Sequence, residues 1–256
     1  MENIMIPGKN GYKIPCGYGA TGREERAVLI MHGFGSSKDG FTAAMLTEEL
    51  PKKGIAALAF DFPAHGKSPV DGDFFTLENC LADMASAEEA LKRLVPKGKI
   101  GYFGSSFGAY MTLLYLASGK AGGKKAFLRS AAVEMPELLA NRTAAGKKLL
   151  EQQGYIMEEE DGTQPLKLTQ RLFDGLDANN VFEAYQPGTA ELHMVHGTED
   201  EAASFEAARR FADLKGAGFT ILEGGDHQLS RPGMPEQVLA LAVKFFKLGA
   251  AGTRWQ

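Results

Sequence analysis

Short apolar runs alternate along this chain with longer stretches whose apolar positions recur at helical spacing. The runs at Ala27–His32, Ile55–Asp61, Lys99–Phe103, Ala126–Val133, Glu191–His196 and Phe219–Glu223 read as strands. Helical patterns fall between them, near residues 40–53, 77–95, 106–118, 201–215 and 234–247. Thr76, followed by Glu78 and Asn79, predicts a capped start to the second helix. Near-continuous apolar strands separated by helices predict a parallel sheet covered on both faces. The stretch before the first of these strands differs. Asn10-Gly11 and the glycines from Gly17 to Gly22 punctuate short segments and predict an antiparallel hairpin leading into the sheet.

Residues 134–188 break the rhythm, being too long for an ordinary connection between two strands. Pro136–Gln152 has a helical pattern, and GYIMEEEDGTQPLKLT predicts a small hairpin turning at Asp161-Gly162. We read 134–188 as a cap inserted over the carboxyl edge of the sheet, within a single domain spanning 1–256. Met135, Leu138, Leu139 and Phe173 are its candidate pocket-wall residues, although their helical spacing suits ordinary packing better. The acidic run Glu158–Asp161 reads as a solvated hairpin tip.

Composition narrows the function classes. The 256 residues are 44% apolar and 23% charged, enough to bury a core without metal or disulfide staples. Net charge is −4 with no basic stripe, which argues against nucleic acid as a partner. Cys16 and Cys80 lie in no metal-ligand or redox spacing. No secretory signal and no bilayer-length apolar run is visible, so the expectation is a cytoplasmic protein that does not engage membranes.

The sharpest chemical signal is Gly104-Ser105-Ser106-Phe107-Gly108, a G-x-S-x-G pattern after a strand and before a helix. A nucleophilic serine needs a tight, strained turn that exposes its hydroxyl, and flanking glycines let strand and helix approach around it. It also needs a base, and the base an orienting acid. Strand ELHMVH runs into Gly197-Thr198-Glu199-Asp200, and strand FTILE into Gly224-Gly225-Asp226-His227. Ser106, Asp200 and His227 therefore leave the same edge of one sheet. Asp200 is the candidate acid, with adjacent Glu199 as the alternative. Asp226 is too near His227 in sequence to orient it easily, and His196 is assigned to bracing the turn. The loop His32-Gly33-Phe34-Gly35-Ser36-Ser37 follows another strand. Its Phe34 N–H, with the Phe107 N–H after the nucleophile, is the candidate oxyanion hole.

In order along the chain, HGFGSS, DFPAHGKS (61–68), GSSFG, HGTED and GGDH resemble the α/β-hydrolase superfamily. Within it the sequence is similar to small capped serine esterases, including cinnamoyl and feruloyl esterases, and to the hydrolase domain of prolyl-oligopeptidase-like enzymes. The resemblance implies an α/β-hydrolase fold, a mostly parallel central sheet flanked by helices. It also implies that Ser106, Asp200 and His227 form a triad, with Asp61 and His65 holding loops beneath it. Two features depart from the subfamily pattern: the elbow lacks the flanking His and Gln of many cinnamoyl esterases, and Asp200 is followed by Glu201-Ala202-Ala203.

Rival readings explain less. Strand AVLIMH leading into Gly33-x-Gly35, with Asp61 ending the next strand, imitates a dinucleotide site. Lys38 stands where the third small residue belongs, however, and Ser106, Asp200 and His227 go unexplained. A non-catalytic ligand-binding module of this fold would typically lack a triad member. His193 and His196 should point to opposite faces of a strand, which does not suit a shared metal. The expectation is thus a serine carboxylic-ester hydrolase using no cofactor and no metal, with a small-molecule ester as substrate. Peptide or thioester cleavage and self-association stay open.

Overall fold

The computed structural model describes residues 1–159 and 165–248. The strands are β1 (Glu2–Pro7), β2 (Lys13–Gly19), β3 (Arg26–Met31), β4 (Ala56–Phe60), β5 (Lys99–Ser105), β6 (Lys125–Arg129), β7 (Tyr155–Glu158), β8 (Leu166–Thr169), β9 (Glu191–Gly197) and β10 (Gly218–Leu222). The helices are α1 (Phe41–Lys52), α2 (Leu77–Leu94), α3 (Phe107–Ala117), α4 (Met135–Arg142), α5 (Lys147–Gln153), α6 (Gln170–Asp177), α7 (Val181–Ala184), α8 (Phe205–Lys215) and α9 (Met234–Lys247).

Eight strands form one sheet in the order β1-β2-β4-β3-β5-β6-β9-β10. Strands from β4 to β10 across this sheet pair in parallel, and the β1–β2 hairpin joins the β4 edge antiparallel. The strands are apolar on both sides because both sides are covered. Along β3, Ala27, Leu29 and Met31 enter the core beneath α2, α3 and α8, while Val28 and Ile30 enter the one beneath α1 and α9. The chain has the α/β-hydrolase fold, a mostly parallel sheet flanked by helices. No helix among the described residues is long and apolar enough to cross a membrane.

Three boundaries differ from the sequence pattern, each for a local reason. The apolar run to Val133 stops being strand at Arg129, because Ser130 takes a positive φ of 46° and turns the chain. The helix expected from 201 starts at Phe205, because 200–204 wrap around the Asp200 carboxylate and Ser204 caps the helix through Ala207 N–H. The helical stretch within 136–152 is split. Thr143 turns its hydroxyl back to the Leu139 carbonyl (2.7 Å), ending α4, and a short 3-10 turn at Ala144–Gly146 precedes α5. The β7 and β8 arms pair antiparallel from Tyr155↔Thr169 to Glu158↔Leu166, while the expected turn at Asp161-Gly162 lies outside the described residues. The segment between β6 and β9 thus carries α4 to α7 and the β7–β8 hairpin.

Candidate active site

Strand β5 ends in the elbow, where Ser106 is held at φ 53° and ψ −115°. This backbone is costly for a residue with a side chain, so the surroundings must enforce it. The Ser106 N–H donates to the Arg129 carbonyl (3.0 Å), and the Ser106 carbonyl accepts from Ala109 N–H (3.0 Å) at the start of α3. The flanking glycines are required by close approach. A Cβ on Gly104 would lie 2.6 Å from Thr112 Oγ1, and one on Gly108 would lie 2.3 Å from the Met31 carbonyl oxygen.

Beyond β10, His227 comes back over the elbow, and its Nε2 stands 3.0 Å from Ser106 Oγ. Its Nδ1 is 2.9 Å from each oxygen of Asp200, whose side chain is fully buried in the loop after β9. A carboxylate can only accept, so Nδ1 carries the proton and Nε2 offers its lone pair to the serine hydroxyl. Asp200 Oδ1 also accepts from the Ala202 and Ala203 N–H groups at 2.9 and 2.7 Å. His196 Nε2 lies 2.9 Å from Asp200 Oδ2 and 3.1 Å from the Ala203 carbonyl. With acceptors on both sides, Nε2–H is the donor, so His196 braces this turn through the carboxylate itself. Burial alone would raise the Asp200 carboxyl. The hydrogen bonds from His196, His227 and Ala203 overcome that and hold it well below the usual carboxylate range.

The neighbouring carboxylates are engaged elsewhere. Glu199 pairs with Arg231 at the surface, and Asp226 takes the N–H and hydroxyl of Ser230. Glu201 accepts the backbone N–H of His227 at 3.2 Å, a contact that the sequence pattern did not single out.

The loop after β3 passes directly over the elbow: a Cβ on Gly33 would lie 3.4 Å from Ser106 Cβ. Among the described residues, no protein acceptor takes the Phe34 or Phe107 N–H. The buried carboxylate of Asp61 ties two loops together, accepting Lys38 N–H at 2.7 Å and Lys67 N–H at 2.9 Å. That engagement leaves it unlike a ribose-binding acid. His32 Nε2 accepts Phe62 N–H (3.1 Å), and His65 packs edge-on against Phe34 and Phe75. Burial pushes His32 down to about 4 and His65 to about 3, so both imidazoles are neutral at pH 7. His193 and His196 lie on opposite faces of β9, the first stacked on Phe127 and the second on Phe219.

A cavity of about 490 Å³ opens at Ser106 and His227. Met135, Leu138 and Leu139 line it, whereas Phe173 packs against the main core. Two arginines on its wall were not among the expected site residues: Arg142 at the end of α4 and Arg129 at the end of β6. The signal for Arg129 was present in the sequence, as a single charge inside the apolar run Ala126–Val133.

The chain belongs to the alpha/beta hydrolase family, whose model matches residues 27–241. No curated protein matches it. Among solved structures it is similar to a putative hydrolase from Agrobacterium vitis S4, with 21% identity, TM-score 0.78, and 96% of this chain and 98% of that one covered. It is also similar to Est1E from Butyrivibrio proteoclasticus with ferulic acid bound (20% identity, TM-score 0.77, 94% and 98% covered). A Pyrococcus furiosus esterase matches at 18% identity and TM-score 0.71, with 96% and 90% covered. At these identities the likeness is one of fold.

Proposed function

We propose that this protein is a serine hydrolase of carboxylic esters, with Ser106 as nucleophile, His227 as base, Asp200 as orienting acid, and the Phe34 and Phe107 N–H groups as oxyanion hole. One observation carries the reading: the unbroken hydrogen-bonded chain from Asp200 through His227 to Ser106, ending at a serine on a strained elbow. Esterases among the proteins of similar fold support it.

Ser106 Oγ attacks the ester carbonyl carbon as its proton passes to His227 Nε2. The carbonyl electron pair moves onto oxygen, facing the Phe34 and Phe107 N–H groups and the start of α3, where backbone donors favour negative charge. The intermediate collapses, and the departing alcohol takes the proton from His227. Water, deprotonated by the same imidazole, then releases the acid and restores the Ser106 hydroxyl. Asp200 fixes the tautomer and stabilises the imidazolium. Segment 134–188 acts as a cap that shapes substrate choice through Met135, Leu138 and Leu139 without supplying chemistry.

The test is Ser106→Ala, assayed with p-nitrophenyl acetate. A loss of about 10^4- to 10^6-fold in kcat is expected, with the melting temperature unchanged. A fluorophosphonate should label Ser106 and neither Ser105, Ser36 nor Ser37. Activity above a hundredth of the unaltered protein's sinks the assignment.

A further inference from the structure

The walls of the active-site cavity carry charge of one sign. Arg129 and Arg142 line it, and among the described residues no Asp or Glu does, although the chain as a whole is acidic at −4. The two arginines differ. Arg142 pairs with Glu158 and lies over the Phe34 ring. Arg129 is 7% exposed, and its hydrogen bonds go to neutral acceptors: Nε to Ser105 Oγ at 2.9 Å, Nη1 to the His227 carbonyl at 3.0 Å. Among the described residues, Nη2 has no partner and no carboxylate stands within ion-pair distance. Burial lowers Arg129 to about 10, with Asp200 and Asp226 acting on it only through space, so it is charged at neutral pH.

Neutral acceptors repay only part of the cost of burying a guanidinium, and an amide could hold the same two acceptors without that cost. The charge itself therefore needs an explanation, and the cavity offers one. Thr42, Gln228 and Ser230 line it with Arg129, while Met135, Leu138 and Leu139 give it an apolar part. We propose that the substrate ester bears a carboxylate a few carbons from the scissile bond, received by Arg129, with Thr42, Gln228 and Ser230 as the polar wall beside it. This rests on the hydrolase reading above. The short reach follows from Arg129 bonding to Ser105, the residue next to the nucleophile. The carboxylate can sit on the acyl side, as in a half-ester of a short dicarboxylic acid, or on the alcohol side, as in an acylated short hydroxy acid.

Two matched pairs of esters separate these cases when acid release is followed at neutral pH. Ethyl hydrogen glutarate against ethyl pentanoate reads the acyl side, and 4-acetoxybutanoate against butyl acetate reads the alcohol side. In one pair the anionic member should be favoured by about tenfold or more in kcat/KM, the range of a hydrogen bond to a charged group. Arg129→Met should erase that preference. It should also slow both members together, because the His227 carbonyl loses its donor; the ratio is the readout. Arg129→Lys should fold with the charge retained and keep part of the preference. Equal or neutral-favouring rates in both pairs overturn the inference, as does a preference that survives Arg129→Met or, should that variant not fold, vanishes in Arg129→Lys. Cleavage of p-nitrophenyl acetate without any charge preference leaves the hydrolase reading standing and this one fallen. If no ester is cleaved, the hydrolase reading falls, and calorimetry with glutarate decides the anion site by itself. Binding that Arg129→Met abolishes supports it, and no binding overturns it.

Discussion

Asp200, at the carboxyl edge of the sheet, and Asp83, on α2 beneath the N-terminal hairpin, are both fully buried carboxylates that the fold drives in opposite directions. Asp200 is surrounded by donors: His227 Nδ1, His196 Nε2 and the N–H groups of Ala202 and Ala203. Asp83 receives only the Tyr12 hydroxyl, at 2.7 Å on Oδ2, and its Oδ1 has no partner among the described residues. Burial pushes Asp83 up to about 7, the Tyr12 bond opposing it only in part, while the donors around Asp200 reverse the same push. The lesson is that donor count, rather than depth, decides whether a buried acid stays ionised. An acid with the role proposed for Asp200, stabilising an imidazolium, needs its charge. One that fills space under a hairpin does not.

The largest effect that can break this contrast is Asp200→Asn. The amide cannot stabilise the imidazolium and favours the wrong tautomer, so kcat should fall on the order of 10^4-fold. If p-nitrophenyl acetate turnover falls less than a hundredfold, the Asp200 charge is not what the site uses. Asp83→Asn should leave kcat unchanged and act on stability alone.

The signs of the pH effects are opposite for the two residues. An unfolded aspartate titrates near about 4. Folded Asp83 holds its proton up to about 7, so its contribution to stability is complete below about 4 and is lost as pH rises through about 7. Asp83→Asn should therefore raise Tm by a few degrees in mildly alkaline buffer and do little in acid. Asp200, held low, contributes stability that is present above about 4 and is lost as pH falls below it. Thermal melts across pH check both, and a Tm that is flat with pH at position 83 would remove the contrast. The smallest expected change is Glu199→Gln, which loses an exposed pair with Arg231 and should alter kcat by less than about threefold. A loss comparable to that of Asp200→Asn would shift the orienting role to Glu199.

The alternation of buried strands and helices was readable in the sequence because a two-sided parallel sheet leaves near-continuous apolar runs. The elbow was readable because its glycines answer a local need: Gly104 and Gly108 admit α3 against β5 and β3. The strand-end register favoured Asp200 over Glu199 as the candidate acid, but the geometry that separates the two was not readable. Adjacent residues on a loop point in different directions, and only the wrapping of 200–204 turns one inward and leaves the other at the surface. The split of the 136–152 helix was hidden for a similar reason, because the bond from Thr143 back to Leu139 competes with continued helix without disturbing the apolar pattern.

By itself, then, the sequence determined the order of strands and helices, the strained serine turn, and the strand ends after which Asp200 and His227 emerge. These depend on periodicity and local backbone chemistry, which neighbouring residues carry. Only the tertiary structure decided how 200–204 wrap to turn the Asp200 carboxylate inward, that Asp83 and Asp200 are driven apart, and that Arg129 stands on the cavity wall with neutral partners. Each of these depends on donors and charges brought in from segments far away in the chain, and their distances exist only once the sheet has placed its loops on one edge.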